Sequence, residues 1–172
     1  MKTFGLAGWS GSGKTSLLRR LIPELRARGL SVSTVKHAHH AFDLDQPGKD
    51  SHSHRQAGAT EVLVTSSARW ALMHELRGAD EPSLEALLAR MSPVDLVLVE
   101  GFKHTALPKL EVHRPSVGKP LLAGEDPWIV AVATDAAGLA VDRPVLALDD
   151  TAAIARFVLD HLALGRPASA AG

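Results

Sequence analysis

The sequence predicts a three-layer α/β fold, a mainly parallel sheet covered by helices on both faces, with an added antiparallel strand patch. Three observations carry this reading. Runs near residues 3, 31, 95 and 129 are apolar on both faces, as buried parallel strands are. Helical segments, several with an apolar period near 3.6 residues, separate most of the strands. A Gly- and Ser-rich turn, Gly8 to Gly13, joins the first apolar run to the first periodic segment.

Thr3 to Ala7 is the first buried strand. The helix after the turn starts near Lys14 and places Leu17, Leu18, Leu21, Ile22 and Leu25 on one face. Gly29 suits the position just past its end, because glycine reaches the left-handed conformation without a Cβ penalty. Pro23 removes one backbone bond and should kink the helix, but the apolar face continues to Leu25, so a single helix is expected. Leu30 to Val35 forms the second strand. Residues 36 to 50 have no period and form a long polar loop of the kind that often carries function.

A short helix is expected over Ser51 to Ala57, closed by Gly58. Glu61 to Thr65 and Arg69 to Leu76 read as strands, joined as a hairpin through Ser66-Ser67-Ala68. Asp80 or Glu81, then Pro82, introduces a helix carrying Leu84, Leu87, Leu88 and Met91. Asp95 to Val99 is a strand ending at Glu100-Gly101. Leu110 to His113, between Pro108 and Pro115, reads as an edge strand. Trp128 to Ala133 is another buried strand, Val145 to Leu148 a short one, and Asp149 or Asp150 caps a last helix with Ile154, Phe157, Val158 and Leu162 inside.

A length of 172 residues suits one domain, expected over 1–163 with inserted strands between 61 and 115, followed by a loose tail over 164–172. The chain has no Cys, which excludes disulfides, thiolate metal sites and cysteine nucleophiles. Nineteen Lys and Arg balance nineteen Asp and Glu, so no global field draws the chain to nucleic acid or to an acidic membrane. With no Tyr, four Phe and three Trp, it has little to stack single-stranded bases on. The N-terminal apolar run is too short for a signal peptide or a span, and a cytoplasmic location is expected.

Gly8-Trp9-Ser10-Gly11-Ser12-Gly13-Lys14-Thr15 matches G-x-x-x-x-G-K-[ST] in full, with a strand before it and a helix after it. The glycines let the backbone turn its N–H groups inward, and the helix N-terminus adds positive potential for phosphate oxygens. Lys14 supplies charge to the β- and γ-phosphates and Thr15 a hydroxyl to Mg2+. Ser16 follows in the same first turn and is counted with the nucleotide contacts. This motif specifies a P-loop NTPase fold. A metal carboxylate is expected at Glu100, because ligands bind where parallel strands end. Asp95 starts that same strand, about 15 Å away by strand rise, and reads as structural.

Other residues are candidates of lower rank. Asp43, Asp45 and Asp50 could reach Mg2+ or its waters, and Lys36, Lys49 or Lys103 a phosphate. His37, His39, His40, His52 and His54 cluster without a ligand triad at helical spacing, and suit loop hydrogen bonding better than a metal site. His74, His104, His113 and His161 read as structural or exposed. The carboxylate of Asp135, after the strand 128–133, could accept from N1–H and N2–H2 of guanine, with Thr134 in support, although the usual Asn-Lys-x-Asp motif is absent. No Gln or Arg stands in a recognisable motif to orient water or stabilise charge.

Taken together, the chain resembles the molybdopterin-guanine dinucleotide biosynthesis protein B (MobB) family. The resemblance rests on Gly8 to Thr15, on Thr34-Val35-Lys36-His37, on the loop from His39-His40 to Pro47-Gly48-Lys49-Asp50-Ser51, and on Asp95 to Lys103, and it covers roughly 2–162. It implies a fold similar to small dimeric GTPases related to nickel-insertion proteins. It implies GTP binding with Mg2+, slow hydrolysis, and an accessory role beside the enzyme that joins GMP to molybdopterin, with molybdopterin as a further candidate ligand. By this resemblance Gly8 to Thr15 hold the phosphates, Glu100 sits near the metal and Asp135 near the guanine. A homodimer is expected, partly from the family and partly because strands at 61–76 and 109–113 have edges that need cover. The competing readings are a nickel-delivery GTPase, a P-loop small-molecule kinase and a nucleotide-sensing interaction module.

Overall fold

A computed structural model of the chain describes residues 1–38, 42–102 and 105–164. Its contacts group into two compact units, Met1–His37 with the chain from Ser92 onward, and Ala38–Met91.

The first unit is built on a six-stranded sheet. Its strands are β1 (Lys2–Ala7), β2 (Val32–Lys36), β5 (Leu96–Glu100), β6 (Lys109–His113), β7 (Ile129–Thr134) and β8 (Val145–Ala147), in the order β2-β5-β1-β6-β7-β8. Every pairing is parallel. The chain crosses from one side of β1 to the other between β5 and β6, which makes the C-terminal end of β1 the point where ligands bind in such sheets.

Helices α1 (Lys14–Ala27) and α4 (Thr151–His161) share one core with the sheet. Leu17, Leu18, Leu21 and Leu25 of α1 and Ile154, Ala155, Val158 and Leu159 of α4 pack with Phe4, Leu6, Leu98, Leu110 and Ala131. Pro23 lies inside α1, which runs on to Ala27 as the apolar face requires. Asp150 caps α4 by accepting from Ala153 N at 2.8 Å. On the sheet's other face Ala7, Ile129 and Val132 pack against Leu121, Leu122, Ala123, Leu139 and Val141.

The expectation of an edge strand at Leu110–His113 is corrected. β6 is interior, paired to β1 and β7, and all five of its residues are buried. Lys109, Glu111 and His113 alternate with Leu110 and Val112, and that alternation mimics a solvated edge. Here the polar side is buried, and Lys109 and Glu111 are partnered. Lys109 Nζ donates to Asp126 Oδ2 at 2.8 Å, and Glu111 accepts from the backbone N–H of Leu122 and Ala123 at 2.9 and 2.8 Å. Pro108 precedes the strand, where its missing N–H is not needed, and its carbonyl accepts from Gly5 N. Pro115 opens a short 3-10 turn after it.

Asp95 sits at the opposite end of the sheet from the ligand side and clasps Ser31. Its carboxylate accepts from Ser31 N at 2.7 Å and Ser31 Oγ at 2.5 Å, while its own N–H donates to Ser31 Oγ. These bonds hold the Asp95 carboxyl below its ordinary value, the Ser31 hydroxyl being the largest cause. The structural reading of this aspartate therefore has its partner.

The second unit holds α2 (Asp50–Gln56), the antiparallel hairpin β3 (Glu61–Thr65) and β4 (Trp70–His74), and α3 (Leu84–Leu88). The hairpin turns through Ser66 to Arg69, with Ser66 N donating to Arg69 O. Ser83, rather than Asp80 or Glu81, caps α3, because its Oγ is placed to accept from Ala86 N.

Candidate functional site

The site begins where β1 ends. Gly8 adopts a φ of 136°, and a Cβ there would stand 2.5 Å from Val112 O and 2.7 Å from Ser12 Oγ. Only glycine lets the loop pass this close to β6. Gly13 is the left-handed residue before α1, whose first turn carries no acidic side chain to compete with an anion. Lys14 folds back along the loop, its Nζ donating to Gly8 O at 2.8 Å and to Trp9 O at 2.9 Å. Ser12 Oγ is buried without a protein partner. Ser10 and Gly11 form the exposed tip, and Thr15 and Ser16 are exposed on the first helical turn. Trp9 is anchored sideways, its Nε1 donating to Pro120 O at 2.8 Å, with Lys119 Nζ 5.7 Å from its ring centre.

Glu100 closes β5 in register with Leu6 of β1 and Lys36 of β2, at the sheet end from which the Gly8–Gly13 loop departs. It is half-buried. The next residue, Gly101, has a φ of 95°, and a Cβ on it would meet His37 Cβ at 2.6 Å. His37 N donates to Glu100 O, and its ring lies 5.0 Å from that of Phe102. This contact fixes the ends of β2 and β5 against each other.

On the other side of the loop a cavity of about 660 Å3 opens beside α1, at the ends of β7 and β8. Its lining includes Ser16, Arg20, Arg114, Thr134, Asp135 and Leu148. Arg20 Nη2 donates to Leu148 O at 2.8 Å and ties α1 to the chain after β8. Thr134 Oγ1 accepts from Ala136 N and shapes the turn that presents Asp135. Arg114, directly after β6, reaches both parts of the site. Its Nε donates to Ser12 O at 3.1 Å and its Nη1 to Asp135 Oδ2 at 2.5 Å. Sequence reasoning missed Arg114 because it follows a strand taken for an edge. Its position one residue beyond a strand end is the signal that could have found it.

Lys14, Ser16, Arg114 and Asp135 thus belong to one stretch of surface along the C-terminal ends of β1, β6 and β7. The family described as molybdopterin guanine dinucleotide synthesis protein B, MobB, matches residues 3–135. The chain belongs to the MobB family. It is 45% identical over 159 residues to the molybdopterin-guanine dinucleotide biosynthesis adapter protein of Escherichia coli K12, covering 91% of this chain and 90% of that one. It is 43% identical over 161 residues to the adapter protein of Haemophilus influenzae, covering 92% and 88%. A crystal structure of molybdopterin-guanine biosynthesis protein B (mobB) superposes with a TM-score of 0.73 at 27% identity, covering 93% of this chain and 99% of the other. A MobB homolog from Bacillus stearothermophilus shares the fold, with a TM-score of 0.71 at 24% identity, covering 95% and 99%.

In this MobB-family chain the 36–50 loop does not offer its aspartates freely. Asp43 and Asp45, candidates for Mg2+ from sequence, are both engaged by Arg55 of α2. Arg55 Nη2 lies 2.7 Å from Asp43 Oδ2, and its Nε lies 3.6 Å from Asp45 Oδ2. Asp45 Oδ1 also accepts from Ser51 Oγ at 2.6 Å. The Arg55 guanidinium holds the Asp43 carboxyl below its ordinary value. A third carboxylate, Glu75, reaches Arg55 at 3.4 Å.

Asp50 opens α2, and Lys49 is its N-cap residue. Among the described residues no group of three or more His, Asp or Glu is placed to hold a metal ion. His39, His40, Lys103, His104 and the tail from 165 lie outside the described residues. His74 pairs with Glu61, His161 packs between Phe4 and Phe157, and His113 is buried. No described helix is long and apolar enough to cross a membrane.

Proposed function

We propose that this chain binds GTP with Mg2+ in the site described and acts as an adapter in the synthesis of molybdopterin-guanine dinucleotide. The observation that carries the nucleotide reading is the phosphate loop, with Lys14 curled onto its carbonyls and a cavity bearing Asp135 beside it. The residues fit a polyphosphate. Ser12 Oγ is a buried polar atom awaiting a partner, Gly8 admits no Cβ, and the N-terminus of α1 has no carboxylate of its own. Lys14 exchanges two carbonyls for phosphate oxygens when a nucleotide enters. Asp135 accepts from the N1–H and N2–H2 of guanine, a donor pair that adenine lacks.

Thr15 and Glu100 are the residues that would hold Mg2+, through a hydroxyl and a carboxylate oxygen. The chemistry it would supply there is positive charge to offset that of the phosphates. Hydrolysis by the isolated chain is slow. Positioning is only part of phosphoryl transfer, and Arg114, the cation nearest the loop from β6, is turned toward Asp135.

The adapter role is supported by the 45% and 43% identical relatives, whose names describe biosynthesis adapter proteins. On this reading the partner is the enzyme that attaches GMP to molybdopterin, and molybdopterin is a further candidate ligand. The protein works in the cytoplasm as a homodimer. The deciding assay is reconstituted guanylylation at limiting GTP, with no added protein, with wild type and with Lys14→Ala. Wild type is expected to raise product and Lys14→Ala to fall short. Equal product in all three, with no detectable complex, would overturn the role.

A further inference from the structure

The aspartate at the rim of the cavity lacks the usual support for reading guanine. In register with Asn-Lys-x-Asp, Val132 stands where the Asn would be and Ala133 where the Lys would be, so neither is present. Those two side chains ordinarily hold the base-reading turn. Here Thr134 Oγ1 accepts from Ala136 N, within the turn itself. Both Arg114 and Asp135 remain partly exposed at the cavity wall.

We infer that Arg114 is the positioning residue that replaces the missing part of this motif, holding Asp135 in its base-reading orientation and coupling it to the phosphate loop. This rests on the proposed guanine-nucleotide site. The geometry is specific to a guanidinium. Nη1 meets Asp135 Oδ2 at 2.5 Å while Nε meets Ser12 O at 3.1 Å, so one planar group spans both halves of the site. The fork of donors that makes this possible is a property of Arg that Lys lacks. Gly13 is part of the arrangement, since a Cβ on it would stand 3.3 Å from Arg114 Nε. The guanidinium therefore lies against the loop just where α1 begins.

The consequence is a preference among bases that depends on a residue outside the sequence motif. A carboxylate oxygen has two lone pairs, so Oδ2 can keep Arg114 while it accepts from guanine. Without Arg114 the Asp135 side chain is free to rotate, and its two oxygens no longer stand together toward N1–H and N2–H2. Loss of the N2–H2 contact is then felt most, because it needs the second oxygen in place. GTP should lose more than ITP, which lacks the 2-amino group and cannot use that contact.

The test is calorimetric titration of the full chain with GTP and ITP in the presence of Mg2+. The variants are Arg114→Ala, Arg114→Lys, Asp135→Ala, the double Arg114→Ala/Asp135→Ala, and Lys14→Ala as a control on the phosphate loop. Circular dichroism melts identify any variant that fails to fold, and such a variant is replaced by Arg114→Gln. Arg114→Ala is expected to weaken GTP about tenfold while changing ITP no more than about twofold. Arg114→Lys should restore little of the preference, and the double variant should be no weaker for GTP than Asp135→Ala alone. Equal losses for GTP and ITP in Arg114→Ala, or full rescue by Lys, or additive losses in the double variant, would overturn the inference while GTP binding that depends on Lys14 stands. Absence of GTP binding by wild type would overturn both this inference and the reading it rests on.

Discussion

Lys14 Nζ lies 2.8 Å from the carbonyl oxygen of Gly8, so the lysine at the start of α1 is bound to the backbone of the loop that precedes it. A second carbonyl, that of Trp9, shares it at 2.9 Å. The loop carries its own surrogate for the charge that a phosphate would bring.

Lys14→Ala removes this cation without touching the glycines that shape the loop. A hydrogen bond to a charged group contributes about 1.5–3 kcal/mol net, and about 1.4 kcal/mol is a tenfold change. GTP affinity is therefore expected to fall about 10- to 100-fold. Substitution of an exposed histidine such as His54 should change it little. Isothermal calorimetry on the two variants makes the comparison, and an unchanged affinity in Lys14→Ala would sink the phosphate assignment.

Gly8 and Gly11 separate backbone strain from collision. Both have positive φ, but a Cβ at Gly11 meets nothing within 4 Å, whereas one at Gly8 meets the Val112 carbonyl at 2.5 Å. Gly11→Ala should cost only the left-handed penalty, roughly 1–2 kcal/mol. Gly8→Ala adds a clash that the backbone must move to relieve, and it is expected to lower both melting temperature and GTP affinity more than Gly11→Ala does. Thermal melts of the two variants, each followed by a nucleotide titration, check the order. A reversed order would show that the loop is not wedged against β6.

The Ser31–Asp95 clasp gives a pH dependence with a defined sign. The folded-state value of Asp95 is lowered from 3.8. The unfolded chain therefore binds more protons than the folded one between the two values. The clasp's contribution is fully present above the unfolded value and is lost as pH falls through the folded value. Asp95→Asn should be less stable than wild type at neutral pH, and the gap should close as acid is added below 3.8. Urea midpoints at the two extremes measure it. A gap that stays constant with pH would remove the charge from the explanation.

The hairpin of the second unit bears on the proposed dimer. Leu63 pairs across the ladder with Leu72, and Thr65 with Trp70. Leu63, Trp70 and Leu72 are 60%, 65% and 48% exposed, an apolar face that would be costly to leave in water. The motive taken from an edge at 109–113 falls away, since that strand is interior. Light scattering of the wild type is expected to give about twice the chain mass of 18.2 kDa. Leu72→Glu should shift it toward the single-chain value, and a wild type that stays at single-chain mass across micromolar concentrations would refute the dimer.

Much of this was legible from local chemistry. The Gly8–Gly13 turn, with β1 before it and α1 after it, was readable from glycine spacing and the apolar periods on either side. Asp95 was readable as structural because strand rise alone puts it far from Glu100. Asp150 and Gly29 marked their helix ends through capping chemistry that acts within a few residues. The error at β6 came where one residue's meaning depends on a distant partner. Lys109, Glu111 and His113 look like a wet strand face until Asp126 and the N–H groups of Leu122 and Ala123 arrive to pair with the first two. The pairing of Asp43 and Asp45 with Arg55 is a tertiary contact that sequence spacing does not show.

By itself the sequence determined the class of fold and the Gly-rich turn that joins the first strand to the first helix, because periodicity, turn chemistry and motif spacing are properties of neighbours along the chain. The tertiary structure alone decided the strand order, which set β6 between β1 and β7 and so carried Arg114 to both Ser12 and Asp135. Those residues are separated by 102 and 21 positions from Arg114. No periodicity links positions so far apart; only the burial of β6 in a parallel sheet brings their polar atoms within a hydrogen bond of one guanidinium.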